Sequence, residues 1–280
     1  MAINFKDQLV EKPTTTLMIV DALNLAFRWK HAGKTNFRDE YMDTVKSLAK
    51  SYNAGTIIIT ADWGSSTFRR EIFPDYKANR EELRANQTEQ EKKDFEAFWE
   101  EYEETLSLLA TKFLVFRYKG VEADDIAAYL VKRRQEYGFD NIWLISSDRD
   151  WDLLVDDGVN RFSYVTRKEC TVDTWDYGIP REHYISYKCL IGDKGDNIPG
   201  IAGIGDKRAI ALIEQYGDAM DIYHLCPIDS HYKYIKSLNE NKEQILINYE
   251  LMDLVTYCEE AVGDKNVQDI EWRLNEARLH

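Results

Sequence analysis

Short apolar runs punctuate the first 166 residues, and most of them stop at an acidic cluster. Leu17 to Val20, Thr56 to Thr60, Phe113 to Tyr118, Asn141 to Ile145 and Arg161 to Thr166 have the length and the aliphatic or aromatic content of strands. Between them the spacing changes to that of helices. Ile126, Ala127, Leu130 and Val131 fall on one face of the segment 126–137, and the stretch from Thr44 to Tyr52 reads as a second covering helix. Strands alternating with helices predict an α/β fold, a central and mostly parallel sheet flanked by helices. After Pro180 the pattern turns helical and glycines cluster, which predicts a smaller second module. The expected division is 1–180 and 181–280, with no internal repeat or low-complexity linker.

Composition bounds the picture without changing it. A chain of 280 residues, 44% hydrophobic and 31% charged, can bury one large core or a core plus a smaller module. The opening MAINFKDQLVEKP has charges and no long apolar run, so neither a signal peptide nor a membrane span is expected and a cytoplasmic protein is. Cys170, Cys189, Cys226 and Cys258 are 19, 37 and 32 positions apart, which matches no zinc or redox spacing and predicts reduced, structural thiols. The formal charge of −14 speaks against a nucleic-acid partner only if the acids are spread evenly. They are not.

The acids follow the strands. LMIV runs into Asp21, TIIIT is followed by Asp62, and NIWLISS leads to Asp148 and Asp150. FLVFRYKG leads to Glu122, Asp124 and Asp125 at the head of a helix. Ligands of open parallel sheets bind beyond the carboxyl ends of the strands, so these side chains are expected in one crevice. Two carboxylates about 5 Å apart repel by roughly 3 kcal/mol at an effective dielectric near 20, so such a cluster calls for cations. Oxygen donors without His or Cys suit Mg²⁺ or Mn²⁺ rather than zinc. Taken singly, Glu122, Asp124 and Asp125 also fit a helix cap and Asp21 a turn; acids at four strand ends do not follow from turn chemistry.

A second constellation is CLIGDKGDNIPGIAGIGDKRAIALIEQYG, from Cys189 to Gly217. Gly200, Gly203 and Gly205 allow a tight turn between helices, and a helix starting near Asp206 presents free amides beside Lys207 and Arg208. Such a turn holds a phosphate without reading a base; an ordinary helical corner is the plainer alternative. Asp193 and Asp196 in the same segment point to a further metal set.

In this order, IVDALNL, PDYKANR, GVEADD, SSDRDWD and GDKGDNIPGIAGIG resemble the bacteriophage and bacterial 5′-nuclease family, which includes phage flap endonucleases and the 5′-nuclease domain of DNA polymerase I. The resemblance runs from about Leu17 to Gly217. It implies a PIN-like nuclease core with a helical arch at about 76–110 and a helix–hairpin–helix module at about 185–217. It also implies one metal on Asp21, Asp62, Glu122, Asp124 and Asp148 and a second on Asp125, Asp150, Asp193 and Asp196. Tyr76 would meet DNA, and Lys77 and Arg80 the scissile phosphate. Potassium would sit on backbone carbonyls near Leu190, Ile191, Pro199, Ile201 and Ile204.

The implied reaction is two-metal hydrolysis of DNA phosphodiesters at 5′ flaps and overhangs, leaving a 5′-phosphate and a 3′-hydroxyl. A phage replication role, a separate monomeric protein and no sliding-clamp peptide in the tail EWRLNEARLH complete the expectation. Ribonuclease H-like primer removal and a non-catalytic branched-DNA scaffold are the alternatives. Two features depart from the family pattern. The stretch Glu89 to Glu104 is acidic where an arch would continue; it forms either the arch's solvent face or, through Phe95, Phe98, Trp99 and Tyr102, a helix packed on the body. Arg149 stands where a smaller residue is expected.

Overall fold

The computed structural model describes residues 14–279; the reading of the opening thirteen residues lies outside them. The N-terminal part runs β1 (Thr16–Asp21), α1 (Ala22–His31), α2 (Arg38–Ser51), β2 (Thr56–Thr60), α3 (Thr67–Ile72), α4 (Ala78–Ala85), α5 (Glu89–Ala110) and β3 (Leu114–Phe116). It continues through α6 (Ala123–Lys132), β4 (Asn141–Ile145), a 3-10 turn (Arg149–Leu154), β5 (Val159–Ser163) and β6 (Lys168–Cys170). The sheet order is β3-β2-β1-β4-β5-β6, parallel throughout except for β6. Chain order reverses beside β1, which pairs with β2 on one side and β4 on the other; that reversal opens the crevice in which such sheets bind ligands.

Both faces of β1 are covered, which is why its sequence is a continuous apolar run. Leu17 and Ile19 pack with Ile126, Ala127 and Leu130 of α6, whereas Met18 and Val20 pack with Leu25, Tyr41 and Val45 of α1 and α2. Each buried Leu, Ile, Met or Val among them stabilises the fold by roughly 1.5–3 kcal/mol. The expected strand at 113–118 shortens to Leu114–Phe116, and the one at 161–166 shifts to Val159–Ser163, pairing along Ile142 to Ile145. The helix expected at 126–137 starts earlier, at Ala123, directly after Glu122, and ends at Lys132.

The acidic helix α5 packs on the body. Phe98 and Tyr102 are buried, with Phe98 stacked on Phe27 at 5.5 Å and beside Phe37 at 5.8 Å. Several of its acids are occupied: Glu91 completes a capping box with Thr88, Glu101 accepts from the Phe37 and Arg38 amides, and Glu103 holds Arg117 through two bonds.

Beyond Pro180 come a 3-10 turn (Arg181–His183), α7 (Tyr184–Ile191), a ribbon of β7 (Gly192–Asp193) and β8 (Ile198–Pro199), and α8 (Asp206–Tyr216). Then follow α9 (Ala219–Leu225), α10 (Lys233–Glu240), α11 (Glu243–Met252), α12 (Leu254–Val262) and α13 (Asp264–Leu279). Leu190, Ile198, Ile201, Leu212, Ile222 and Ile245 form a core of their own, which Tyr76 joins. The chain then returns: Leu254, Cys258 and Val262 of α12 and Ile270 and Leu274 of α13 share the core beneath α6. Among the described residues no helix is long and apolar enough to cross a membrane, and the four cysteines are free.

Candidate metal centre

Asp21 ends β1 and caps α1, accepting from the Asn24 amide at 3.1 Å and from the Ser146 hydroxyl at 2.8 Å. Asp62 follows β2 and accepts the Ala123 amide at 2.7 Å, which ties it to the start of α6. Glu122 precedes that helix, and Asp124 lies in its first turn, taking the indole N–H of Trp151 at 2.5 Å. Asp148 caps the 3-10 turn after β4 through the Asp150 amide at 2.9 Å. Asp193, at the end of β7, receives the amides of Gly195 and Asp196 at 2.8 and 3.2 Å. The crevice these residues line, about 300 Å³, holds Asp21, Asp62, Glu122, Asp124, Asp148, Asp150, Asp193 and Asp196 together with Lys77 and Arg80.

Asp125 is not among them. It is buried and grips the Arg69 guanidinium through two 2.7 Å bonds, while Arg69 also reaches Glu122 at 3.5 Å and the Leu251 carbonyl at 2.8 Å. It therefore fastens α3, α6 and α11 together instead of facing the crevice. Tyr76 is likewise turned inward at 2% exposure, with its hydroxyl on Glu122 at 2.9 Å and Asp196 at 3.1 Å, so it orients carboxylates and offers no surface to DNA.

Cations sit among the acids. Lys77 Nζ is 2.7 Å from Glu122 and 3.6 Å from Asp196, Arg80 is 2.5 Å from Asp196, and Lys188 pairs with Asp150 and lies 3.4 Å from Asp193. Lys188 has no acidic or glycine motif to mark it; only the turn of α7 brings it here. Among the described residues no three His, Cys, Asp or Glu side chains are gathered closely enough to hold a metal ion as they stand, and Lys77, Arg80 and Lys188 are paired with carboxylates of the crevice.

The charge imbalance shows in the proton affinities. Burial, then repulsion from Asp62, pushes the Asp21 carboxyl up to about 8. Burial, then Glu122, raises Asp62 to about 6. Burial raises Asp150 to about 6 against the pull of Lys188, and burial with Asp148 and Asp21 lifts Asp124 well above the carboxylate range. Glu122 goes the other way: burial opposes its charge, but Lys77 and Arg69 outweigh it and lower its value. The donor set thus fits divalent cations, which would relieve this repulsion with oxygen ligands alone.

A stability prediction follows. Raised carboxyls bind protons more tightly folded than unfolded, so their contribution is whole below about pH 4 and is lost as pH rises through about 6 to 8. Asp21→Asn keeps the helix cap and removes a costly buried charge. In EDTA at pH 8 it should stabilise the protein by about 2 kcal/mol, less than the full shift implies because Asp62 can take up a proton instead. The gain should shrink toward pH 4. Thermal melts of both proteins across pH check this; equal melting temperatures at pH 8 would contradict the assignment.

The turn module is built around close backbone approach. A Cβ on Gly200 would lie 2.2 Å from the Ile191 carbonyl oxygen, so only glycine lets α7 and β8 meet. Helix α8 begins after Gly205 with no side-chain cap, and Lys207 and Arg208 are exposed there, Arg208 lying 4.6 Å over the Tyr234 ring and donating to the Gly203 carbonyl. Of the carbonyls expected to face potassium, Leu190 accepts the Ile201 amide, Ile201 the Ile204 amide and Pro199 the Asn248 side chain. Arg149 is exposed and lines a separate hollow with Ser147, Arg161 and Tyr177.

Oxygen donors at the switch point of a parallel sheet, faced by lysine and arginine, are the equipment of a divalent-metal nuclease rather than of a nucleotide-binding α/β enzyme. The chain belongs to the 5′–3′ exonuclease family: its residues 16–177 match the N-terminal resolvase-like domain and 179–276 the C-terminal SAM fold. It is 44% identical over 265 residues to the flap endonuclease of Escherichia phage T5, spanning 91% of each chain. It is 30% identical over 219 residues to the thermostable DNA polymerase I of Thermus aquaticus, covering 74% of this chain but 24% of that one. Among solved structures, the phage T5 flap endonuclease in a pseudo-enzyme–product complex with DNA and metal ions superposes with a TM-score of 0.89 at 42% identity, over 93% of this chain and 98% of the other. The phage T5 5′-exonuclease with divalent zinc bound gives 0.88 at 42% identity, with the same coverage. The chain is a metal-dependent, structure-specific 5′ nuclease.

Proposed function

We propose that this nuclease cuts DNA carrying a 5′ single-stranded flap or overhang, in phage DNA replication within the host cytoplasm, with Mg²⁺ as its natural metal. The observation that carries this reading is the convergence of eight carboxylates from four strand ends and the β7 turn on one crevice with Lys77 and Arg80. The eight would hold two or more cations, and Asp125 would serve through Arg69 instead. Bound there, the cations would supply an activated water and neutralise charge on the phosphate and the leaving oxygen. Lys77 and Arg80 would face the scissile phosphate, and Tyr76 would fix Glu122 and Asp196.

In this reading α4 and α5 form the arch over the single strand, residues 1–180 are the nuclease core, and 181–280 the helical module whose turn at about 185–217 grips duplex backbone. A potassium ion would use the remaining lone pairs of the carbonyls of Leu190, Ile191, Pro199, Ile201 and Ile204. The protein would act as a monomer. Incubation with end-labelled flap DNA tests the whole: cleavage at the branch in Mg²⁺ and none in EDTA is expected, and tight binding without metal-dependent cleavage would leave only the scaffold.

The duplex grip has its own test. Alanine at both Lys207 and Arg208 should weaken binding regardless of sequence and lower the salt slope by about two units, roughly one per lost phosphate contact. Binding isotherms in Ca²⁺ over a range of salt read the slope, and an unchanged value would reduce the segment to a structural corner.

A further inference from the structure

Trp63 follows Asp62 directly, yet its side chain is 50% exposed, an unusual state for the largest apolar residue beside a carboxylate crevice. Consecutive residues of an extended chain point to opposite sides, so Asp62 faces the crevice while Trp63 faces a neighbouring hollow of about 480 Å³. The indole is not loosely hung. The Trp63 carbonyl accepts the Gly120 amide at 2.7 Å, its own amide reaches the Val121 carbonyl at 3.3 Å, and the Arg117 guanidinium lies 5.5 Å over its ring. Arg117 is itself held by Glu103 and by the Asp62 carbonyl at 3.1 Å. An aromatic face is thus preset in the open, at little further ordering cost.

The hollow is continuous with the metal crevice. A middle cavity of about 440 Å³, between α4, α5 and the sheet end, shares Asp62, Lys77, Arg80 and Glu122 with the crevice, and shares Gly64, Ser65 and Arg70 with the Trp63 hollow. Along this trough Arg70 is paired with Glu81 and Arg117 with Glu103. Arg84 in the middle cavity and Lys119 beside Trp63 are exposed and, among the described residues, have no ion-pair partner. The trough therefore leads from the carboxylate crevice past the Arg84 guanidinium, which lies 5.8 Å over the Phe95 ring, to a rigid aromatic face with the Lys119 ammonium next to it. Cations that track a backbone, interleaved with an aromatic platform, are what binds single-stranded nucleic acid without sequence preference.

We propose that Trp63, flanked by Lys119, is a stacking subsite for a base of the 5′ single strand, holding the flap on the side of α4 and α5 away from the duplex. The inference rests on the flap-cutting reading above and adds to it a length dependence: a flap too short to reach Trp63 gains nothing from the subsite. Phenylalanine at 63 keeps a platform, and alanine removes it.

The test uses the full chain, in Ca²⁺ for binding and in Mg²⁺ for cleavage, with flaps from one nucleotide upward and 2-aminopurine placed at successive flap positions. For the wild-type protein, fluorescence quenching is expected at one or two adjacent positions of a long flap; it should vanish in Trp63→Ala and return in Trp63→Phe. Affinity for the long flap should fall about five-fold or more in Trp63→Ala, the loss of one stacked base. Binding and cleavage of the one-nucleotide flap should stay at wild-type level. Equal affinities at every flap length, or an equal loss on the shortest flap, would overturn the subsite. Wild-type protein that cuts no flap in Mg²⁺ would remove the functional reading and this inference with it, whereas normal flap cutting with an indifferent Trp63→Ala removes only the inference.

Discussion

Asp148→Asn is expected to lower cleavage by about 10³-fold or more while branched-DNA binding stays at the wild-type level or tightens. The carboxylate accepts the Asp150 amide and otherwise faces the crevice, so its loss leaves no buried cation stranded. Asparagine caps a helical turn as well as aspartate does, and the fold is preserved. What disappears is one charged oxygen ligand, and stabilisation of the transition state by a bound metal amounts to several kcal/mol. About 4 kcal/mol corresponds to the stated loss. Removing a negative charge close to the phosphate favours the ground-state complex, which is why affinity should hold or rise. Single-turnover cleavage and a binding titration on one preparation decide the matter. Parallel loss of both, with an unchanged melting temperature, would take Asp148 out of the metal centre.

Lys77→Ala should slow the single-turnover rate by roughly 10²-fold or more, about 3 kcal/mol, with a far smaller change in affinity. Lys77 is held by both of its ends: its amide donates to the Asp196 carbonyl at 2.9 Å, and its ammonium sits between Glu122 and Asp196. Burial opposes its charge, but those carboxylates outweigh that cost and push its proton affinity up, so it stays charged at any working pH. A fixed positive charge beside the metals acts where negative charge accumulates during reaction, whereas one phosphate contact among many adds little to binding. Burst kinetics at saturating enzyme, beside a titration in Ca²⁺, separate the two effects. A near-normal rate with weakened binding would make Lys77 a simple attractor of DNA.

How far these residues were readable differs from one to the next. Asp21, Asp62, Asp148 and Asp150 were legible because each follows an apolar strand, and the sheet's switch point brings strand ends together. Asp124 and Asp125 were not separable in sequence: adjacent positions on a helix differ by about 100° in direction, and that rotation sends one to the crevice and the other to Arg69. Tyr76 looked like a surface contact within a motif, but packing against the C-terminal core buries it. Arg69, Lys188 and Ser146 carried no local signal, since each acts on a carboxylate far away in the chain. The spacing of Phe95, Phe98, Trp99 and Tyr102 offered a packed face on α5 as one of two readings, and the burial of Phe98 and Tyr102 matches that one.

The sequence by itself determined the strands, the covering helices, the acids at the strand ends and the glycines at the turn. Those features depend on local physics: side-chain period, turn chemistry and the backbone freedom of glycine. Only the tertiary structure decided which acids share a crevice, which cations stand among them, and that α12 and α13 return to the core beneath α6. It also set Trp63 in the open beside that crevice. Burial and charge balance are sums over residues remote in the chain, so a carboxylate's proton affinity, an arginine's partner or an indole's exposure has no value until the elements have packed.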